Sequence, residues 1–330
     1  MKSDWKKSKA HLLLLSKFIH ANRFEDFARH DYWKDMWNNV LEEPITQAIK
    51  RFMDEGMLVI VTNLNELLSY KCKVNELKGM LKQRSLPVSG RKEELIERLV
   101  RVDQNGMRKI VAGLSLLECS QYGNEIAELY LLDEKEKREN IESKVKGFLE
   151  NRKFSDASLA VAMWEKEQVF PSEFAVGIGT ELQRNNHSQD VKVSQDELKR
   201  MSTIFESKPP KIIASLGNEK LEAVRIAAAM MILGLENNAN KWLPANFETD
   251  LPFDNETVVR MMYLHAVHQD TLRRYRNGGI KYVEILPAPD SCESCKKLGG
   301  KQYKLNVAPE LPNEDCTHKM GCRCCYLPVV

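Results

Sequence analysis

Residues 70–102 read YKCKVNELKGMLKQRSLPVSGRKEELIERLVRV, the first stretch of the chain to say something specific. Val74, Leu77, Met80 and Leu81 recur at helical spacing; Pro87, Ser89 and Gly90 interrupt the pattern; Leu95, Ile96, Leu99 and Val100 resume it. The spacing predicts a short helix, a tight turn and a second helix. Ser89 stands where an N-cap is expected, and Arg91 and Lys92 open the second helix, although cations are unfavourable at the positive end of a helix dipole. An anion would relieve that conflict, because free amides and two cations would converge on one phosphate. The alternative is an ordinary helical hairpin with a solvated basic face.

Val74, Glu76, Leu77, Lys78, Leu81, Leu86, Pro87, Ser89, Gly90, Lys92, Leu95 and Leu99 give this stretch a resemblance to the SAP motif, a small helix-turn-helix DNA-binding module. Ser85 stands where that family often has a glycine, which implies a looser turn, since a left-handed serine costs about 1 kcal/mol. The resemblance implies double-stranded DNA as partner. Lys78, Arg91 and Lys92 would grip phosphate, Ser89 and Gly90 would supply close-approaching backbone, and Lys73, Lys82 and Arg84 would add positive field. Few side chains are placed to read bases, so binding is expected to be salt-dependent and weakly sequence-selective.

Hydrophobic residues make up 43% of the 330 and charged residues 29%, the balance of an ordinary globular protein with room for two or three domains. The net charge of +2 is uneven: residues 70–102 carry nine cations and four anions, so the remainder is slightly acidic. Nucleic-acid affinity is therefore expected to be local. The apolar run Leu12–Leu15 is too short for a signal-peptide core and no stretch approaches transmembrane length, so a cytoplasmic protein without a membrane partner is expected.

The fold expected is mainly α: a multi-helix body containing the hairpin, with a small C-terminal zinc-ribbon-like β element. Its parts are an N-terminal helical region (1–69), the SAP motif (70–102), a central helical domain (103–276) and a cysteine-rich tail (277–330). The aromatics Phe18, Phe24, Phe27, Tyr32, Trp33 and Trp37 follow a helical stripe and are expected in the core, as are Ile45, Ile49 and Phe52. Leu58–Val61 reads either as a short strand or as the lead into a helix. Met107–Leu149 reads as helical throughout, and a further helix is expected over Ser155–Gln168, capped by Ser155 or Asp156, with Leu159, Val161, Ala162, Met163 and Trp164 inward. Gly177 and Gly179 fall short of a dinucleotide fingerprint and read as loop. Small residues at Ala223 and Ala227–Ala229 would let another helix approach closely, and Asp254 is expected to cap a helix running to about Arg276. His265 and His268 lie on that helix and read as packed or exposed histidines rather than ligands.

Six of the eight cysteines fall at or after Cys292. Cys292 and Cys295 form a paired knuckle that presents two thiolates to one ion, and by spacing alone Cys322 and Cys325 form a second. The runs DSCESCKKLGGKQYKL and CTHKMGCRC resemble the cysteine-rich end of the phage Mu F-like minor head proteins. That resemblance implies structural zinc on Cys292, Cys295, Cys316 and one of Cys322 or Cys324, with Cys325 packed or spare. Lys319 stands where the family commonly has a histidine, while Cys316 and His318 are close by in sequence. Four thiolates would close the sphere and leave no position for water, so the metal is expected to fold the tail rather than catalyse. The functions implied are a non-enzymatic DNA-binding protein or, as alternative, a phage-type head-morphogenesis protein whose tail binds a protein. Asp31, Glu42, His265 and His268 are the only pieces of a nuclease centre, and no spacing joins them.

Overall fold

A computed structural model describes residues 4–28, 30–170, 193–235 and 238–329. Gly177 and Gly179 lie outside those residues. The chain divides into two compact units, Met1–Lys137 and Arg138–Val330. The architecture is mainly α with small antiparallel sheets, and no helix among the described residues is long and apolar enough to cross a membrane.

The first unit begins with α1 (Lys9–Ser16), α2 (Phe24–Ala28), α3 (Asp31–Leu41) and α4 (Ile45–Asp54). Phe18, Trp37, Ile45, Ile49 and Phe52 are buried as the stripe predicts, whereas Tyr32 and Trp33 are 59% and 42% exposed. Those two occupy the first turn of α3, and the helix reaches the core only at Trp37 and Leu41. Gly56, at φ +71°, ends α4: its N–H donates to Met53 O and the Met57 N–H to Phe52 O, which closes the last turn. The apolar run that follows is a strand, β1 (Leu58–Ile60), and its partner is β2 (Leu117–Cys119), with Leu58 opposite Cys119 and Ile60 opposite Leu117. This corrects the expectation of continuous helix from Met107. Gly113, at φ +77°, turns the chain out of the preceding helix, and Leu117 and Cys119 are buried on either side of Glu118. The long helix α9 (Gln121–Glu150) starts only after that strand. It is fixed against β1 by Ser120, whose Oγ donates to Gly56 O and accepts from the Gly123 N–H.

Between the two strands lie α5 (Leu64–Lys71), α6 (Val74–Gln83), α7 (Lys92–Val102) and α8 (Gln104–Ile110). They enclose a core of their own made of Leu68, Cys72, Leu77, Leu81, Leu95, Ile96, Leu99, Met107 and Val111. The hairpin is thus the middle of a four-helix insertion, with apolar spacing on each helix turned toward one centre.

The second unit continues from α9 with α10 (Phe154–Lys166), α11 (Gln195–Glu206), α12 (Asn218–Ile232) and α13 (Asn255–Asn277). Lys153, not Ser155 or Asp156, is the N-cap of α10, because the chain reverses at Arg152 (φ +59°). Leu159 and Met163 are 36% and 53% exposed rather than inward. Asp254 does cap α13, its carboxylate accepting from the Thr257 N–H at 2.7 Å. Ala227, Ala228 and Ala229 are fully buried where α12 packs against α11 and α13, which also pack on each other. Asp270 on α13 is 3% exposed and accepts from Nε of Arg200 on α11 at 3.1 Å, with Arg273 also bonded to it. Tail strands β3 (Tyr282–Leu286), β4 (Gln302–Lys304) and β5 (Cys325–Val329) form an antiparallel sheet in the order β4-β3-β5, with the one-turn helix α14 (Glu293–Lys296) between β3 and β4. β5 packs on α13: the Tyr275 hydroxyl donates to Tyr326 O, and the rings of His268 and Tyr326 meet edge to face at 5.5 Å. Val283, Ile285 and Tyr326 therefore belong to the same apolar cluster as α11–α13.

Removing one partner of a buried ion pair leaves the other charge uncompensated, at a cost of about 3–5 kcal/mol. Asp270→Ala is expected to lower stability by about that amount in urea denaturation, because buried Arg200 loses its carboxylate in the α11–α13 seam while Arg273 keeps only Asp196.

Candidate nucleic-acid interface and metal centre

The turn between α6 and α7 is built more tightly than its sequence implies. Ser85 takes the left-handed conformation at φ +54°. Its N–H donates to Lys82 O at 3.0 Å, and the Leu86 N–H donates to Leu81 O at 2.9 Å, the paired bonds that close a helix end. The looser turn expected from the missing glycine is therefore not found, because serine bears the strain. Nor is Ser89 the N-cap of α7. Arg91 holds that position, and the Glu94 carboxylate reaches back to accept its N–H at 3.3 Å. The carbonyl of Ser89 instead accepts from Arg98 Nη1 at 3.1 Å, and Pro87 O accepts from the same nitrogen. Gly90 has φ +123°, and a Cβ there would lie 2.3 Å from Glu94 Oε2. Only glycine leaves both the backbone and the Glu94 cap intact.

The cations fall into two groups. Arg84, Lys92 and Arg98 are braces. Arg84 Nε donates to Asp103 Oδ2 at 3.2 Å and its Nη1 to Met80 O, while Lys92 Nζ donates to Ser69 O at 2.5 Å, joining α7 to the end of α5. The Arg84 hydrogen bonds hold the Asp103 carboxyl below the usual carboxylate range. A lowered acid pKa favours the fold above the unfolded value, so this brace is present at neutral pH and is lost as pH falls through the lowered value. Lys82 and Arg91 are exposed and Lys78 is half-buried, and none of the three forms an ion pair with a described residue. Lys73 and Ser89 are exposed beside them in sequence. The bracing by Arg98 was invisible in the sequence: its only signal is the surplus of carbonyls that a proline-containing turn leaves without partners.

Five tail cysteines converge. The sulfurs of Cys292, Cys295 and Cys316 all lie within 4.8 Å of one another, as do those of Cys295, Cys322 and Cys324. Cys292 and Cys316 Sγ are 3.8 Å apart, and Cys295 and Cys322 Sγ 3.9 Å. A zinc–sulfur bond of about 2.3 Å gives a tetrahedral edge of about 3.8 Å, so these spacings fit a zinc-sized thiophilic ion. A small cleft is lined by Cys292, Cys295, Cys316 and Cys322, with His318 and Arg323 at its rim. The Cys292 thiol falls to about 5: burial pushes it up, and hydrogen bonds from the Ser294 hydroxyl and the Cys295 and Thr317 main chain outweigh that. Proton sharing with the thiols of Cys316 and Cys324 holds Cys322 well below the usual thiol range and pushes those two well up. Sulfurs forced to share protons are sulfurs that a cation would hold together instead. Cys325 lies apart on β5, opposite Leu286.

Below this cluster, on α13, are the histidines. His268 is driven down to about 4, first by burial and against the charge of Cys322, and its ring is bonded to the Cys324 main chain. Its Nε2 and the Nδ1 of His265 have no hydrogen-bond partner among the described residues. Asp31 and Glu42 belong to the first unit and the two histidines to the second.

Residues 71–103 match the SAP domain family, so a SAP domain occupies about a tenth of the chain. No curated protein and no solved structure matches.

Ser85→Gly is expected to raise stability by up to about 1 kcal/mol by relieving the left-handed serine, and Gly90→Ala to lower it by about 1–3 kcal/mol. Thermal unfolding of the two variants beside the parent chain measures both.

Proposed function

We propose that the chain is a non-enzymatic DNA-binding protein that grips duplex phosphates through the SAP hairpin and carries structural zinc in its tail. The observation that supports this most is the SAP domain itself, set on a helical insertion with its own core. Lys73, Lys78, Lys82 and Arg91 are among the cations that form no ion pair with a described residue and remain for phosphate, with the Ser89–Gly90 backbone beside them. Lys92 contributes positive field while bonded to Ser69 O, since an ammonium has further donors to spare. Arg84 and Arg98 act by holding the turn in shape. Contacts of this kind carry little sequence information and are weakened by salt through the return of counterions.

A duplex of random sequence is expected to bind with a steep salt dependence. Each phosphate contact removed should flatten the slope of log K against log salt by about 0.9. The double variant Lys78→Glu, Arg91→Glu should therefore bind weakly and lose about two units of slope, while Ser69 keeps its bond to Lys92. Binding that the double variant leaves unchanged would refute the hairpin as the grip.

In the tail, zinc would be held by Cys292, Cys295, Cys316 and Cys322, the four that line the cleft. When bound, it would fix the loops between β3 and β5 and, with its coordination closed, supply no Lewis-acid chemistry. Since Val283, Ile285 and Tyr326 share the core of α11–α13, chelation should be felt beyond the tail. Treating the zinc-loaded chain with a strong chelator is expected to lower Tm by at least several degrees, reversibly on adding zinc back.

A second reading, resting on the resemblance of the tail's cysteine runs to phage Mu F-like head proteins, is a phage-type head-morphogenesis or assembly protein whose zinc tail binds a protein partner. Val307, Met320 and Leu327 are 68%, 42% and 40% exposed, which gives such a partner apolar surface. Charges introduced there, Val307→Asp with Leu327→Asp, would abolish assembly and spare DNA binding if this reading holds.

A further inference from the structure

One edge of the β1–β2 ladder is open. Val61 donates its N–H to Leu116 O at 3.0 Å, so residue 61 faces β2; by the alternation of an antiparallel pair, Ile60 and Thr62 turn their N–H and carbonyl groups the other way. No strand among the described residues pairs with that edge. Val59 and Ile60 lie on opposite faces of β1 and are 42% and 54% exposed, so neither face is covered at this end, and Thr62 is exposed beyond them. Residues 57–62 read MLVIVT, without the charges or prolines that usually guard an exposed edge. Shortness is the only guard it has.

Beside the edge is a cleft of about 360 Å³. Ile60 and Leu117 come to it from the sheet and Ile49 and Met53 from α4, and Lys50 and Asp54 of the same helix are exposed in its lining. Neither Lys50 nor Asp54 forms an ion pair with a described residue. An apolar cleft with a cation and an anion four residues apart on one helix is complementary to itself turned end to end. The order reverses across a two-fold axis, so each Lys50 meets an Asp54 of the opposite copy.

We infer that this edge seats a second copy of the chain, paired antiparallel through β1. Ile60 and Thr62 of each copy exchange N–H···O bonds with Thr62 and Ile60 of the other, which joins two ladders into one four-stranded sheet in the order β2-β1-β1-β2. The two α4 helices then lie antiparallel on one face of that sheet, Lys50 toward Asp54 across the axis. All of this surface belongs to the unit Met1–Lys137. The contact is small, so the pair is weak, with a Kd in the range of about 10–100 µM. The α5–α8 insertion leaves β1 at Val61, and the pair therefore roots two SAP domains beside one axis. For the proposed phosphate grip, on which this consequence alone rests, two weak holds on one duplex then act as a single bivalent one.

Sedimentation equilibrium of the full-length chain without DNA, from about 1 to 300 µM, tests the pairing. A monomer–dimer equilibrium is expected. Ile60→Lys should leave monomer alone, since it sets like charges against each other on the paired edge. Lys50→Asp and Asp54→Lys should each weaken the dimer about ten-fold, and the double swap should restore it to within about three-fold of the parent. Both charges are exposed on α4, so the swap decides the matter should Ile60→Lys misfold. A chain still monomeric at the highest concentration would overturn the pairing and leave the edge to a strand of another protein or to none. A dimer indifferent to these variants, or one that the double swap fails to restore, would overturn it as well. No DNA is present, so failure of the phosphate grip would leave the dimer standing.

Discussion

Leu117 is held from two sides. Its N–H and carbonyl exchange bonds of 2.9 Å with Asn22, while across the other edge Leu117 stands opposite Ile60. The main chain of β2 is thereby fixed between the N-terminal helices and β1, and β1 in turn carries α4 at one end and the insertion at the other. Everything the first unit does depends on that short ladder. It brings together residues far apart in sequence, at an entropic cost that grows only slowly with the length of the loop closed. The private core of α5–α8 offsets that cost, since each fully buried leucine contributes about 1.5–3 kcal/mol.

The second unit reaches a similar end by a different route. Its tail has too few apolar residues to stand alone, and it borrows α13 as a floor. Gly321 lies so close to this helix that a Cβ would come 2.9 Å from Thr257 Cγ2, and Arg260 reaches from the helix to donate to Met320 O. The cysteine loops are thus pressed onto a rigid surface before any ion is considered. Pre-arranged sulfurs lower the ordering cost of metal capture.

The hairpin and the cysteine knuckle were legible in the sequence because both are local. Leu77 to Leu99 repeats a helical period around a proline and two small residues, and Cys292 and Cys295 carry their spacing within one turn. What was not legible depends on partners distant in the chain. Leu117 continues a helix-like spacing from Ile110, and only the approach of Leu58–Ile60 makes it strand. Lys92 reads as a phosphate-seeking cation until Ser69 presents a carbonyl to it, and nothing local marks Arg98 as the brace of the Pro87 and Ser89 carbonyls. His268 is packed, as read from the sequence, but its neighbours Tyr326 and Cys324 come from the tail and could not be named from local spacing. Ser85 shows the opposite failure: the local rule was right about strain and wrong about consequence, since two main-chain bonds enforce the geometry that glycine would adopt freely.

The adjacency of Ile60 and Leu117 has one more consequence. Paired strand residues lie about 5 Å apart, so the insertion begins and ends at nearly the same point in space. A segment with this geometry is portable. Joining Ile60 to Leu117 through a short hairpin turn would excise the SAP-containing insertion without opening a gap in its host, and any exposed hairpin elsewhere with matching strand ends is a socket into which it would fit. Domains acquired by insertion need this property, and here a three-residue ladder supplies it.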